Sequence, residues 1–351
     1  MKSLAVQYRP STWDDLVEQE SIKIILKQQL ESGTIHSAML FCGPSGDGKT
    51  TTARIFANVL NKGQGVPIEM DAASHNSVDD VREICRMAST KAVDAEYKVF
   101  IIDEAHSISN TGWQAFLKTI EEPPAKVVFI FCTTDPQRIP PTILSRVQRF
   151  QFQKVSTDGI FKRLVHILSK EYPSKISEND VGTKVDRDAL MFIAKLADGG
   201  MRLAIQYLEK CLAYSDELTV ENVVKALNVT DYNDFIRLTD LVLSNNKSEL
   251  IKMLDEIYAS GVDFKQFLKQ YVSFILDVNK TLILDDLDEA FDYIDLPRTS
   301  EVETWLTTTL KDGDINTYNK LLDHLVKLDA DVKYSQNPKT DILCGFLLFE
   351  V

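Results

Sequence analysis

The sequence predicts an α/β domain, a parallel sheet with helices on both faces, followed by two segments that are helical throughout. Three observations predict it. Between about 37 and 155, four short β-branched or aromatic runs, "SAMLFC", "VPIEMDA", "YKVFIIDEA" and "KVVFIFCTTD", alternate with helical stretches. A glycine-rich "GPSGDGKT" at 43–50 joins the first run to the helix "TTARIFANVL". After about 158 the strand-like runs stop.

In the second segment, 158–229, "IFKRLVHILSKEY", "DRDALMFIAKLADGG" and "MRLAIQYLEKCLAYS" read as amphipathic helices, the second ended by Gly199 and Gly200. From 230 onward Leu250, Leu254 and Ile257 form one helical stripe that Gly261 ends. Asp263 caps the next helix, whose stripe is Phe264, Phe267, Leu268, Tyr271 and Ile275. The expected domains are therefore 1–157, 158–229 and 230–351, and 351 residues suffice for two or three separate cores.

Composition narrows the function classes. No apolar run approaches the roughly 20 residues that cross a bilayer, and "MKSLAVQYRPS" lacks a secretory apolar stretch, so a cytoplasmic address is expected. The five cysteines, Cys42, Cys85, Cys132, Cys211 and Cys344, are scattered without a C-x-x-C pair and read as buried, reduced thiols. Net charge is −13, which argues against a simple nucleic-acid-coating protein. Residues 1–154 carry 17 basic and 18 acidic side chains, whereas 155–351 carry 22 and 34. A surface for a polyanion thus belongs in the first half. The acidic "LDDLDEAFDYID" at 284–295 reads as a solvated helix face or loop.

The chemistry begins at 43–50, a full G-x-x-x-x-G-K-T between a strand and a helix. Its backbone N–H groups can wrap phosphates, and the helix N-terminus adds partial positive charge. The binding segment is Gly43, Pro44, Ser45, Gly46, Asp47, Gly48, Lys49, Thr50 and Thr51. Lys49 would reach the β and γ phosphates of ATP, and the Thr50 hydroxyl would bind Mg²⁺. "VFIIDEA" at 99–105 ends a strand in two acids: Asp103 fits a second Mg²⁺ ligand, and Glu104 is placed to orient and deprotonate an attacking water. "FIFCTTD" puts Thr133 and Thr134 at the tip of a further strand, where one hydroxyl is a candidate sensor of the γ-phosphate. "TILSRVQRF" ends an apolar stretch with Arg146 and Arg149, which have no evident partner in the chain.

These motifs occur together in one family. "YRPSTWDDLVEQE", "IHSAMLFCGPSGDGKTTTARIFANVLN", "EMDAASHNSVDDVREI", "VFIIDEAHSISNTGWQAFLKTIEEPP", "FCTTDPQRIPPTILSRVQRFQF" and "GGMRLAIQYLEK" resemble, in this order, the gamma/tau subunits of bacterial DNA polymerase III. That family comprises the AAA+ motors of sliding-clamp loaders, related to the small subunits of replication factor C. The resemblance covers residues 5 to about 215, and the remainder resembles the family's collar domain in helical pattern and in its ending. It implies an AAA+ P-loop ATPase domain, a helical lid and an all-α collar.

Residue by residue, the resemblance makes Lys49 and Thr50 the Walker-A ligands, Asp103 and Glu104 the Walker-B pair, and Thr134 the first sensor. Arg202, in "GGMRLA", matches the second sensor; Tyr8, Arg9 and Val17 match the segment beside the nucleotide. "LSR" matches the motif whose arginine enters a neighbouring subunit's ATP site, which makes Arg146 the finger and leaves Arg149 structural. Implied partners are the sliding clamp, primer–template DNA and other loader subunits in a ring-like, pentameric assembly holding several copies of this chain. By analogy, DNA would meet His75, Asn76, Arg82, Arg86, Asn110 and Thr111, and the clamp would meet Ile84, Met87 and Ala88.

Two departures bear on the expectation. Where the family carries a four-cysteine zinc module, this chain has only "NKGQGVP" at 61–67, so zinc is not expected. The chain also stops at the collar, without the tail that holds polymerase and helicase in the tau form. These losses fit a compact version of the motor subunit, of the kind a phage would encode. Two other classes stand beside the motor: a scaffold subunit that binds nucleotide without turnover, and an AAA+ ATPase acting on DNA junctions. Intact Lys49, Asp103, Glu104 and Arg146 speak against the first, and "SRVQRF" with "EEPPAKVVF" against the second.

Overall fold

The computed structural model describes residues 3–92, 94–172, 176–177, 180–181, 185–227 and 232–350. They fall into two compact units, one spanning Met1–Val181 with Ile193–Glu209, the other Gly182–Phe192 with Lys210–Val351.

The first unit opens with α1 (Leu4–Gln7) and α2 (Glu20–Ser32) and continues as strand and helix in alternation: β1 (Ala38–Cys42), α3 (Lys49–Leu60), β2 (Ile68–Asp71), α4 (Val78–Ala88), β3 (Lys98–Asp103), α5 (Asn110–Glu121) and β4 (Val127–Thr133). The short α6 (Pro141–Leu144), β5 (Gln148–Gln151) and α7 (Thr157–Glu171) follow. All five strands are parallel, in the order β2-β3-β4-β1-β5. The α/β class is as the sequence predicts.

Period-two alternation sorts each strand's side chains onto the two faces. Leu40, Phe100, Ile102, Phe129 and Phe131 face α4 and α5, where Val81, Trp113 and Phe116 complete the core. Met39, Phe41, Val99, Ile101, Val128 and Ile130 face α2 and α3, against Leu26, Ala53, Ile55 and Phe56. Phe100 stacks on Phe129 at 5.0 Å between ring centroids, and Trp113 sits 5.2 Å from Phe131. A buried phenylalanine of this kind stabilises by about 3–5 kcal/mol relative to alanine, so the strand tips that carry the polar residues are rigidly held.

Two elements depart from the sequence reading. β5 was not among the expected strands, yet it pairs with β1 along Met39↔Gln148 to Cys42↔Gln151. Its alternation, Phe150 and Phe152 buried with Arg149 and Gln151 exposed, is that of an edge strand with one covered face. Beyond 158 strands do not stop altogether: Ile176–Ser177 (β6) and Asp180–Val181 (β7) form a two-stranded antiparallel ladder.

α8 (Arg187–Leu196) and α9 (Met201–Tyr214) have residues in both units. The remaining elements described in the second unit are helices: α10 (Val220–Leu227), α11 (Tyr232–Leu243), α12 (Lys247–Ala259), α13 (Phe264–Leu284), α14 (Leu287–Tyr293), α15 (Ser300–Asp312), α16 (Ile315–Val332) and α17 (Pro338–Leu348). Gly261 takes φ +83° after α12, and the Asp263 carboxylate accepts from the backbone N–H groups of Lys265 and Gln266 to cap α13. The stripe Phe264, Phe267, Leu268, Tyr271 and Ile275 is buried against Leu250, Leu254, Leu321 and Phe346. The acidic run at 284–295 contains α14, capped by Asp286, with Ala290 and Ile294 buried. Among the described residues no helix is long and apolar enough to cross a membrane.

Candidate active site

β1, β3 and β4 are adjacent and end at the same edge of the sheet, so three separate stretches of sequence deliver polar residues to one place. It is the crevice outside the carboxyl ends of the strands where open α/β sheets bind ligands. At the tip of β1 the loop 43–48 turns into α3. Gly46 and Gly48 take φ +82° and +98°, a region in which a side chain strains the backbone, and Gly48 is the N-cap of α3. A Cβ on Gly43 would lie 2.8 Å from Phe152 Cβ and fall on the Asp47 carboxylate.

Lys49 is buried, and its ammonium donates to Gly43 O (2.8 Å), Pro44 O (2.5 Å) and Asp47 Oδ1 (2.9 Å). Asp47 is also buried; burial pushes its carboxyl upward, opposed by the neighbouring Lys49 charge. The Thr50 hydroxyl donates to Asp103 Oδ2 at 2.8 Å. Two hard oxygen donors in contact, beside a buried lysine and a helix N-terminus, suit a Mg²⁺-bound polyphosphate.

Glu104 takes φ 48° and ψ 41°, sparsely populated for a residue with a side chain, and its N–H bonds Asp103 Oδ1 at 3.0 Å. This turn lifts the half-exposed Glu104 carboxylate toward β4, where Thr134 Oγ1 lies 3.4 Å from Oε2. Thr133 is buried and accepts from the Asp135 N–H at 3.0 Å. Thr134 therefore lines the cleft, while Thr133 closes the strand end.

Ala5, Tyr8, Arg9, Pro10, Leu16 and Val17 line the cleft together with Met201, Arg202 and Ile205 of α9. The Tyr8 hydroxyl donates to Glu171 at 2.6 Å; burial together with this carboxylate pushes its pKa up to about 12. Tyr8, Arg9, Val17, Thr134 and Arg202 are thus gathered with the phosphate loop, Asp103 and Glu104 in one cleft of one unit.

Arg146 lies outside the cleft, after α6, and has a partner in its own chain, contrary to expectation. Its guanidinium pairs with Glu121 at 2.7 Å and donates to Thr142 O (2.7 Å) and Ser145 Oγ (3.1 Å). Both members of the pair are more than a third exposed. Arg149, on β5, donates to Gln151 Oε1 at 3.2 Å.

His75, Asn76, Arg82, Arg86, Asn110 and Thr111 are all exposed. Asn76 O accepts from the Ser109 N–H at 3.5 Å, which brings the loop before α4 beside the start of α5, and Arg82 pairs with Asp79 at 3.0 Å. The expected clamp-facing residues are a correction. Ile84 and Ala88 are 7% and 1% exposed, and Met87 packs against the same core. Val81, Ile84 and Ala88 follow the i, i+3, i+7 spacing of a core stripe, so the apolar face of α4 is spent on the sheet.

Four contributors were missed in the sequence. His106 Nδ1 lies 3.1 Å from Thr133 Oγ1 and 3.4 Å from Glu104 Oε2. Arg163 donates to Tyr8 O at 2.8 Å and lines the cleft. Glu121 holds Arg146 and the side chain of Asp47 holds Lys49, two of the expected phosphate-binding cations. For His106 the signal was position, three residues after Asp103; Glu121 and Arg163 act across 25 and 155 residues and left no local trace.

Residues 65–156 match the family described as DNA polymerase III, delta subunit, and residues 218–340 match DNA polymerase III subunits gamma and tau domain III. The chain is 34% identical over 296 residues to DNA polymerase III subunit gamma/tau of Mycoplasma genitalium, covering 78% of this chain and 48% of that protein. It is 30% identical to the subunit tau of Salmonella typhimurium, covering 91% and 51%, and 32% identical to the subunit gamma of Buchnera aphidicola, covering 79% and 80%. The chain thus spans about half the length of the first two relatives. Among solved structures, Thermotoga maritima RuvB, a Holliday junction branch migration motor, superposes with a TM-score of 0.51 at 20% identity over 71% of this chain and 85% of that one. That likeness concerns the fold alone.

Proposed function

Because the chain belongs to the DNA polymerase III gamma/tau subunit family, we propose that it is the ATP-hydrolysing motor subunit of a DNA sliding-clamp loader in the cytoplasm. Residues 1–157 would form the ATPase domain, 158–229 its lid and 230–351 the collar. The observation that carries the reading is the contact of Thr50 with Asp103 in a cleft that also holds Lys49, Glu104 and Thr134. A scaffold that only binds nucleotide has no use for Glu104 held in a left-handed turn beside Thr134.

In this reading the backbone N–H groups of the 43–51 segment, Pro44 excepted, and the Lys49 ammonium bind the β and γ phosphates. Thr50 and Asp103 would hold Mg²⁺, which would supply charge neutralisation of those phosphates. Glu104 accepts a proton from the attacking water while Thr134 orients both, and Arg202 reaches the phosphates from the lid. Tyr8, Arg9 and Val17 flank the base. Arg146 leaves Glu121 to enter the ATP site of the next subunit in the ring, where its planar, permanent charge stabilises the transition state. ATP binding would open the clamp and grip primer–template DNA, and hydrolysis would release the clamp on DNA. His75, Asn76, Arg82, Arg86, Asn110 and Thr111 supply sequence-independent, salt-sensitive contacts to DNA phosphates.

The test is hydrolysis by the assembled complex with and without cognate clamp and primed DNA. Stimulation by both is expected, and Glu104→Gln should lower turnover by about 10²–10⁴-fold while ATP still binds. A rate indifferent to clamp and DNA would sink the clamp-loader reading.

A further inference from the structure

An ammonium has three N–H donors, and all three of Lys49 are used within its own loop, two on the carbonyls of Gly43 and Pro44 and the third on Asp47 Oδ1. The Lys49 backbone N–H also points at Asp47 Oδ1, at 3.4 Å. Of the three partners only Asp47 is anionic, the protein's nearest chemical equivalent of a phosphate oxygen. Its side chain is nine-tenths buried, and Oδ2 has no hydrogen-bond partner among the described residues. A buried carboxylate with one oxygen unsatisfied is unfavourable as a structural device, because its desolvation is only half repaid. It also adds negative charge to the loop that receives a polyanion.

We propose that Asp47 competes internally for the P-loop lysine, holding the Lys49 donor that a nucleotide's β and γ phosphates must take over, and so weakens nucleotide binding and speeds its release. The inference rests on the reading that this loop takes a nucleoside di- or triphosphate. Binding then exchanges one anionic partner of Lys49 for another, and the net gain is the difference between the two. Removing the carboxylate leaves the carbonyl partners in place and takes away the anion that competes for the third donor, fully in Asp47→Ala and by loss of its charge in Asp47→Asn.

The experiment is equilibrium and stopped-flow titration of the full chain with fluorescently labelled ADP and ATP in Mg²⁺, comparing wild type, Asp47→Asn and Asp47→Ala, with Lys49→Ala as reference. Both Asp47 variants should bind about tenfold or more tightly, mostly through slower dissociation. Unchanged or weaker binding by both would overturn the role of Asp47 while leaving the nucleotide reading intact. No saturable binding by wild type, or undiminished binding by Lys49→Ala, would instead remove the nucleotide reading and the inference with it. Should Asp47→Ala fail to fold, judged by its thermal melt, the equal-sized Asp47→Asn decides alone.

Discussion

The chain holds two of its expected phosphate-binding cations, Lys49 and Arg146, each on a carboxylate of its own, but in opposite surroundings. Lys49 and Asp47 have side chains 7% and 1% exposed; Arg146 and Glu121 are 38% and 47% exposed. The separations, 2.9 and 2.7 Å, are nearly the same. What differs is the medium. Inside the loop the charges are little screened and costly to desolvate, so giving up the partner changes the binding free energy directly. At the surface, water and salt take up what either partner releases, and such pairs contribute about 0–1 kcal/mol. In the proposed reading, Lys49 is therefore part of an equilibrium that sets affinity, whereas Arg146 rests on a screened contact that a phosphate could displace.

The largest effect that can break this contrast comes from deleting each cation. Lys49→Ala should abolish nucleotide binding and turnover together. Arg146→Ala should leave the isolated chain's affinity for ATP unchanged, yet slow hydrolysis by the assembled complex by about 10³–10⁵-fold. Mixing the two variants should restore part of the activity, since each supplies what the other's interface lacks. Loss of ATP affinity by Arg146→Ala in the isolated chain would mean that this arginine serves its own site.

A smaller effect sharpens the buried side. Burial raises the Asp47 carboxyl above its ordinary value despite Lys49, so the folded chain takes up a proton there more readily than the unfolded chain. The stability this group contributes is fully present below the ordinary carboxylate value of about 4 and is lost as pH rises through the raised one. Asparagine is neutral at every pH and its amide oxygen still accepts from Lys49. Asp47→Asn should therefore melt at or above the wild-type temperature at pH 7, and the difference should close as pH falls toward about 4. A melting temperature lowered at pH 7 would show that the ion pair is a net stabiliser.

The same contrast explains what was legible in the sequence. Four strands, and the cleft residues on the tips of three of them, follow from local pattern, because apolar runs ending in glycine, acids or threonines encode both strand and site within a few residues. β5 was missed because exposed Arg149 and Gln151 dilute the apolar signal of Phe150 and Phe152, as on any edge strand. Ile84 and Ala88 were misplaced although their spacing is that of a core stripe; their apolar character was assigned to a partner before the sheet had been given its share. Pairing is the harder part. Glu121 meets Arg146 only because α5 and the turn after α6 are brought together by the fold, and no feature of "TIEEPP" marks which glutamate does so. Asp47 stood inside the motif itself, but loop positions between the glycines were read for their backbone N–H groups and not for a charge.

The smallest expected effect tests the exposed side and is the most discriminating for Glu121. If the Arg146–Glu121 pair is only a resting contact, Glu121→Gln should shift stability by no more than about 1 kcal/mol, less at high salt, and change the assembled complex's turnover by no more than about fivefold. Its neutral amide still accepts a hydrogen bond from the guanidinium, so the resting geometry survives without the charge. A loss approaching that of Arg146→Ala would assign Glu121 a different part: aiming the finger while the finger works. The two roles separate further on kinetics. A resting contact competes with assembly, so its removal leaves kcat alone and favours the complex at low protein concentration; an aiming contact acts after assembly, so its removal lowers kcat at saturating subunit and ATP.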